Sequence, residues 1–216
     1  MTQATTSFFA DQQQRDLRCI AKDRVVVDAL LKLRIAHLRH FRAILMPSLH
    51  GPEFRWLREH GVPAKNLFLI ERDPTIWREF KTAIRFVGCS TTPKPLAAYQ
   101  AVDHAPLEPH GFVYLDYFNQ PDYWHLRTLV KLFRLNLIDR RTRLLVTFGK
   151  NRVGSDNFGS VINPRLRADA PGQAYVEAAL ATSRACLTIL KIVNHRYVTS
   201  TGIHPAHFVT TEVTFR

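Results

Sequence analysis

The sequence predicts a three-layer α/β fold, in which a mostly parallel sheet lies between helices and carries an antiparallel hairpin on its C-terminal side. Three observations predict it. Short apolar runs alternate with helical stretches at least four times after residue 42, and such alternation gives a parallel sheet with helices on both faces. The runs Asn66–Glu71 and Gly111–Tyr117 are apolar almost throughout, as strands buried on both faces must be. Two further extended stretches flank a His204–Pro205 turn, the pattern of a hairpin.

Residues 1–12 are polar around a Phe8–Phe9 pair and read as a tail or as a segment for docking a protein partner. From Gln13 to His40, Leu17, Ile20, Val25, Leu30, Leu31, Ile35 and Leu38 recur near helical spacing. This is one long helix, or two with a break near Lys22–Asp23. The chain divides into this N-terminal segment, 1–40, and a domain over 41–216. Ala43–Pro47 is the first strand. Ser48 or Gly51 begins the next helix, with Pro52 in its first turn and Glu53 adding favourable charge there. Phe54, Trp56, Leu57 and Val62 are its apolar positions, and Gly61 stops it.

Asn66–Glu71 is the second strand. Asp73 caps a helix that opens on Pro74 and runs to about Arg85. Prolines break 86–111, leaving a short strand near Thr91–Leu96 and a helical turn near Ala97–Asp103. Phe112–Tyr117 is a strand, and Pro121–Asp122 start a helix to about Leu137. Arg143–Phe148 is the next strand. A long loop over 149–172 follows, which is either functional or mobile. Gln173–Leu190 is helical, and Ile192–Ser200 with Ala206–Phe215 form the hairpin. The whole is a Rossmann-like sandwich, in which ligands sit outside the carboxyl ends of the strands at the switch in strand order.

Composition bounds the partners. The 216 residues are 46% hydrophobic and 22% charged, ordinary values for a chain that buries a full core. Thirty Lys and Arg against 18 Asp and Glu give a net charge of +12. A positive field of this size gathers polyanions, nucleic acid first and an anionic membrane surface second. Three scattered cysteines form no CxxC pair and predict a reducing compartment without structural zinc. The first residues carry no apolar signal region, and no run nears the ~20 apolar residues of a membrane span. A cytoplasmic location is the expectation. Ten histidines show no ligand spacing that predicts a metal, and there is no GxSxG elbow for a hydrolase.

The chemistry-bearing residues gather at three strand ends. The helix after the first strand presents unpaired N–H groups suited to a carboxylate or phosphate, although the turn has one glycine, Gly51, instead of GxGxxG. Glu71 ends the second strand, where an acid accepts hydrogen bonds from a ribose diol. Asp116 and Asn119 follow a buried strand. The loop adds Lys150, Arg152, Phe158, Arg165 and Arg167, suited to phosphate contact and base stacking. Lys32, Arg34, Arg39 and Arg42 flank an apolar stripe, which either lies on nucleic acid or membrane or packs on the sheet.

The sequence of ends ILMPSLHGPE, LFLIERDP, FVYLDYFNQPD and LLVTFGK, followed by a hairpin, resembles the class I S-adenosylmethionine-dependent methyltransferase superfamily over about residues 41–216. The resemblance implies a cofactor, S-adenosylmethionine. Pro47, Ser48, His50 and Gly51 would hold its methionine part, Glu71 its ribose, and Asp73–Pro74 would sit near its adenine, with Arg72 a further cofactor contact. Asp116 and Tyr117 would border it, with Asp116 and Asn119 as catalytic residues. Tyr117 and Phe118 would stack on a base, beside Lys150, Arg152, Arg165 and Arg167. The implied function is methyl transfer to nucleic acid. The alternative is a methyltransferase-like module without activity that binds nucleic acid or a protein partner.

Overall fold

The computed structural model describes residues 22–33, 38–47, 51–117, 122–149, 170–199 and 206–216. Seven strands form one sheet: β1 Ala43–Leu45, β2 Leu67–Leu69, β3 Ser90–Thr91, β4 Phe112–Asp116, β5 Arg143–Gly149, β6 Ile189–Thr199 and β7 Ala206–Phe215. Their order is β3-β2-β1-β4-β5-β7-β6. The first five strands pair in parallel, while β7 runs antiparallel to both β5 and β6. The strand order reverses between β1 and β4, which places the ligand crevice at their carboxyl ends.

Alternation along each strand divides the interior into two cores. Ile44, Val113, Leu115, Leu144 and Val146 pack under α4 Ala98–Ala101, α5 Tyr123–Arg134 and α6 Pro171–Ser183. Ala43, Leu45, Phe112, Tyr114 and Leu145 face the other way, toward α2 Pro52–Glu59 and α3 Pro74–Thr82. This second core also takes in a helix over residues 22–31, here α1, through Val26, Ala29 and Leu30. Helix α1 thus packs on the sheet of the domain expected over 41–216. Its buried stripe is Val26–Ala29–Leu30, whereas Leu31, expected inside, is 64% exposed. Lys32 then reaches Glu212 on β7 at 3.5 Å. Glu212 also meets Arg143 and His195. Burial works against its charge, but these three partners outweigh it and hold its pKa below the ordinary value.

Local chemistry sets the element ends. Asp73 caps α3 by accepting from the N–H groups of Thr75 and Ile76, and Asp122 and His125 form a reciprocal cap on α5. β3 ends at Thr91, short of the expected Leu96, because Pro93 and Pro95 donate no backbone hydrogen bond. The helix expected over Gln173–Leu190 stops at Ser183, where Arg184 turns left-handed (φ 58°). Ile189 and Leu190 join β6 instead. Among the described residues no helix is long and apolar enough to cross a membrane, and no group of three His, Cys, Asp or Glu is placed to hold a metal ion.

Candidate functional site

Glu71 stands just past the carboxyl end of β2. Its Oε1 accepts from the backbone N–H of Arg72 at 2.7 Å and of Asp73 at 2.8 Å. The carboxylate is thus fixed through one oxygen, and Oε2 takes no hydrogen bond among the described residues. Burial raises its pKa against those two bonds. Leu96, leading from β3 into α4, donates its N–H to the Glu71 carbonyl at 3.1 Å, so this strand end is tied to the helix beyond it.

Asp116 ends β4 beside Tyr114 on the α1–α2 side of the sheet. Its Oδ2 meets Lys22 of α1 at 2.6 Å, and both side chains are nearly buried. Burial disfavours the Lys22 charge, but Asp116, Tyr114 and Glu53 outweigh it and hold the ammonium above its ordinary range. Glu53, in the first turn of α2, is 2% exposed. Its carboxyl folds back over Gly51: a Cβ at that position would lie 2.6 Å from Glu53 Oε1 and 3.0 Å from Pro47 Cβ. A side chain at position 51 would therefore displace the Glu53 carboxyl from its place over the turn. Burial lifts the Glu53 pKa from 4.5 to about 8, with Lys22 opposing. Asp23 is lifted to about 6 by the same cause.

Three buried oxygens in this cluster have no hydrogen-bond partner among the described residues: Asp23 Oδ1, Glu53 Oε1 and Tyr114 Oη. Buried polar atoms are rarely left so, and here they surround one ammonium at the turn after β1. Across the sheet Thr147, Thr210 and Tyr197 continue the polar row. Thr147 and Thr210 hydroxyls lie 2.8 Å apart, and Tyr197 Oη lies 3.1 Å from Thr210.

The structure brings Pro47, Gly51, Glu71, Arg72, Asp73 and Asp116 to one edge of the sheet, at the carboxyl ends of β1, β2 and β4. Tyr117 lies there too, but it is 5% exposed. Its ring sits 3.9 Å from His125 and 5.3 Å from Phe148, so it offers no face to a base. That expectation is corrected: the alternation that turns Asp116 toward α1 turns Tyr117 into the opposite core. Ser48, His50, Phe118, Asn119, Lys150, Arg152, Phe158, Arg165 and Arg167 lie outside the described residues. Sequence reasoning did not assign Lys22, Asp23, Glu53 or Tyr197 to the site. The one signal was an acid in the first turn of a helix that follows the first strand.

No protein-family model matches the chain, and no curated protein sequence is similar to it. Solved structures are similar. Trm5b from Pyrococcus abyssi has a TM-score of 0.50 and 8% identity over 88% of this chain and 48% of that one. M. jannaschii TYW2, solved in complex with AdoMet, has a TM-score of 0.50 and 12% identity over 82% of this chain and 70% of that one. The chain spans about half the length of the Pyrococcus protein. At these identities the likeness is one of fold alone, a Rossmann-like sheet between two layers of helices.

Proposed function

From that fold we propose that this protein is an S-adenosylmethionine-dependent methyltransferase acting on nucleic acid. The observation that carries the reading is Glu71: a carboxylate at the end of β2, beside the switch in strand order, held by two backbone N–H groups with one oxygen left over. A ribose diol is the partner such an oxygen suits. The cluster after β1 fits the other end of the same molecule. Lys22 would pair with a carboxylate, and the unpartnered oxygens of Asp23 and Glu53 would accept from an ammonium. When bound, S-adenosylmethionine supplies an electrophilic methyl group on a sulfonium.

The chain's own contribution is placement. Asp116 has Oδ2 engaged by Lys22, which leaves Oδ1 to accept from an exocyclic amine and hold its lone pair toward the methyl group. Well-oriented placement contributes several kcal/mol to such reactions, up to ~7–11. The net charge of +12 supports a polyanionic substrate, with Lys150, Arg152, Arg165 and Arg167 as further contacts. The Lys22–Asp116 pair also favours a second reading, a module that binds without transferring methyl, because it neutralises the carboxylate that would orient the acceptor.

Calorimetry with S-adenosylmethionine tests the proposal. The wild type should bind, and Glu71→Ala should weaken binding at least tenfold, by ~1.4 kcal/mol or more. No binding at millimolar cofactor, or undiminished binding by Glu71→Ala, would overturn it. Binding without label transfer from methyl-labelled cofactor to RNA or DNA would select the second reading.

A further inference from the structure

An aromatic and cationic surface lies outside the cluster at the strand ends. Tyr99 of α4 stacks on Trp124 of α5 with centroids 4.3 Å apart and planes at 27°. Tyr123 meets the same indole edge-on at 5.2 Å. The Arg127 guanidinium sits over both α5 rings, 5.6 Å from Tyr123 and 5.4 Å from Trp124. Lys131 lies 6.0 Å from the Tyr99 ring and donates to the Tyr99 carbonyl and to Asp103.

This surface is not spent on the core. Trp124 is 43% exposed and Tyr123 38%. Two large rings kept half in water, with a guanidinium laid against them, form a flat polarisable face. Its charge is mainly positive: α5 carries Arg127, Lys131 and Arg134 and contains no Asp or Glu, while Asp103 pairs with Lys131 and Asp122 caps the helix. Arg127 makes no ion pair among the described residues.

Its position ties it to the site. Trp124 precedes His125, whose ring packs on Tyr117 at the end of β4. Tyr99 follows Leu96, whose N–H is bonded to the Glu71 carbonyl. Both rings of the stack are thus anchored from the two strand ends that the proposed function uses.

We infer that the Tyr99–Trp124–Arg127 face binds single-stranded nucleic acid, taking an unpaired base by stacking while Arg127 and Arg134 meet the flanking phosphates. Stacking on aromatic and guanidinium planes is the usual way single strands are held, because every base has a π-face whatever its sequence. A duplex hides those faces. The inference rests on the nucleic-acid part of the proposed function, and it adds where the strand leaves the site: across the start of α5, on the face opposite α1.

Fluorescence anisotropy with labelled single-stranded RNA, single-stranded DNA and a duplex of the same sequence tests it, with cofactor calorimetry in parallel. Trp124→Ala should weaken single-strand binding about tenfold or more, Trp124→Phe should retain most of it, and the affinity for S-adenosylmethionine should not change. Arg127→Ala should also flatten the salt dependence. In a Trp56→Phe/Trp77→Phe background Trp124 is the remaining indole, and a single strand should quench its fluorescence. This readout does not depend on Trp124→Ala folding. Either RNA or DNA as the preferred strand supports the inference. Wild-type binding unaffected by Trp124→Ala, with no quenching, overturns it and leaves the nucleic-acid substrate standing. Failure of the wild type to bind any nucleic acid overturns both. A fall in cofactor affinity alone assigns the ring to the cofactor and overturns the inference. So does equal dependence on Trp124 in duplex and single strand.

Discussion

Replacing Glu53 by glutamine should stabilise the protein in alkaline solution. Burial lifts the Glu53 pKa from 4.5 to about 8 in the folded state. The unfolded chain releases that proton near 4.5, and the folded chain keeps it until about 8. Across this window the native state binds more protons than the unfolded state, so stability falls as pH rises, and the loss is complete above about 8. At ~1.4 kcal/mol per pH unit, the window corresponds to ~3–5 kcal/mol. Glutamine keeps the shape and has no proton to lose. Glu53→Gln should match the wild type near pH ~5 and exceed it by ~3–5 kcal/mol near pH ~9. Urea unfolding followed by circular dichroism across that range measures the difference. Parallel stability curves for the two proteins would refute the reasoning, because they would mean that the carboxyl ionises as readily folded as unfolded.

Two more substitutions probe the frame around the site. Lys22→Met removes the cation and leaves the nearly buried Asp116 carboxylate without its counter-ion. It should cost ~3 kcal/mol near neutral pH, with much of the loss recovered in the double variant with Asp116→Asn; chemical denaturation of the three variants gives the coupling, and a single variant as stable as wild type would deny the pair. Gly172→Ala would put a Cβ 2.6 Å from Thr211 Cβ and against its hydroxyl, where the first turn of α6 presses on β7. Overpacking there should cost ~1–3 kcal/mol and lower the thermal midpoint by several degrees, ~2–4 °C per kcal/mol; an unchanged midpoint would mean that α6 sits farther from the sheet.

The parts of the fold written in consecutive residues were legible in the sequence. Asn66–Glu71 reads as a buried strand closed by an acid because few other environments tolerate so many apolar residues before a carboxylate, and Glu71 stands at that end of the sheet. Asp73–Pro74 reads as a helix start, and both residues do that work. The pairing of Lys22 with Asp116 spans 94 positions, and no local pattern announces it. Glu53 looks the same in sequence whether it faces water or folds under its own turn; its burial depends on Pro47, Lys22 and other groups distant in sequence. The stretch Ala185–Leu190 suits a helix or a strand by composition, and the left-handed turn at Arg184 settles it. Tyr117 was misjudged for a related reason, since the residue that leaves a buried strand faces either core depending on where the pleat ends.

The position of β7 has a consequence for the order in which the molecule can be made. β6 emerges from a ribosome before β7, yet β7 is its partner strand in the sheet. Until β7 is synthesised, β5 keeps one edge unsatisfied on that side and the β6 segment has nowhere to dock. The parallel half around β1, β2 and β4 can assemble earlier. The bond from Lys32 to Glu212 then joins α1, made near the beginning, to a strand made about 180 residues later. Helix α1 also carries Lys22, but it is held first by Val26, Ala29 and Leu30 and by Asp116, on elements made before β7, so β7 adds a late tie to a wall of the site that is already in place.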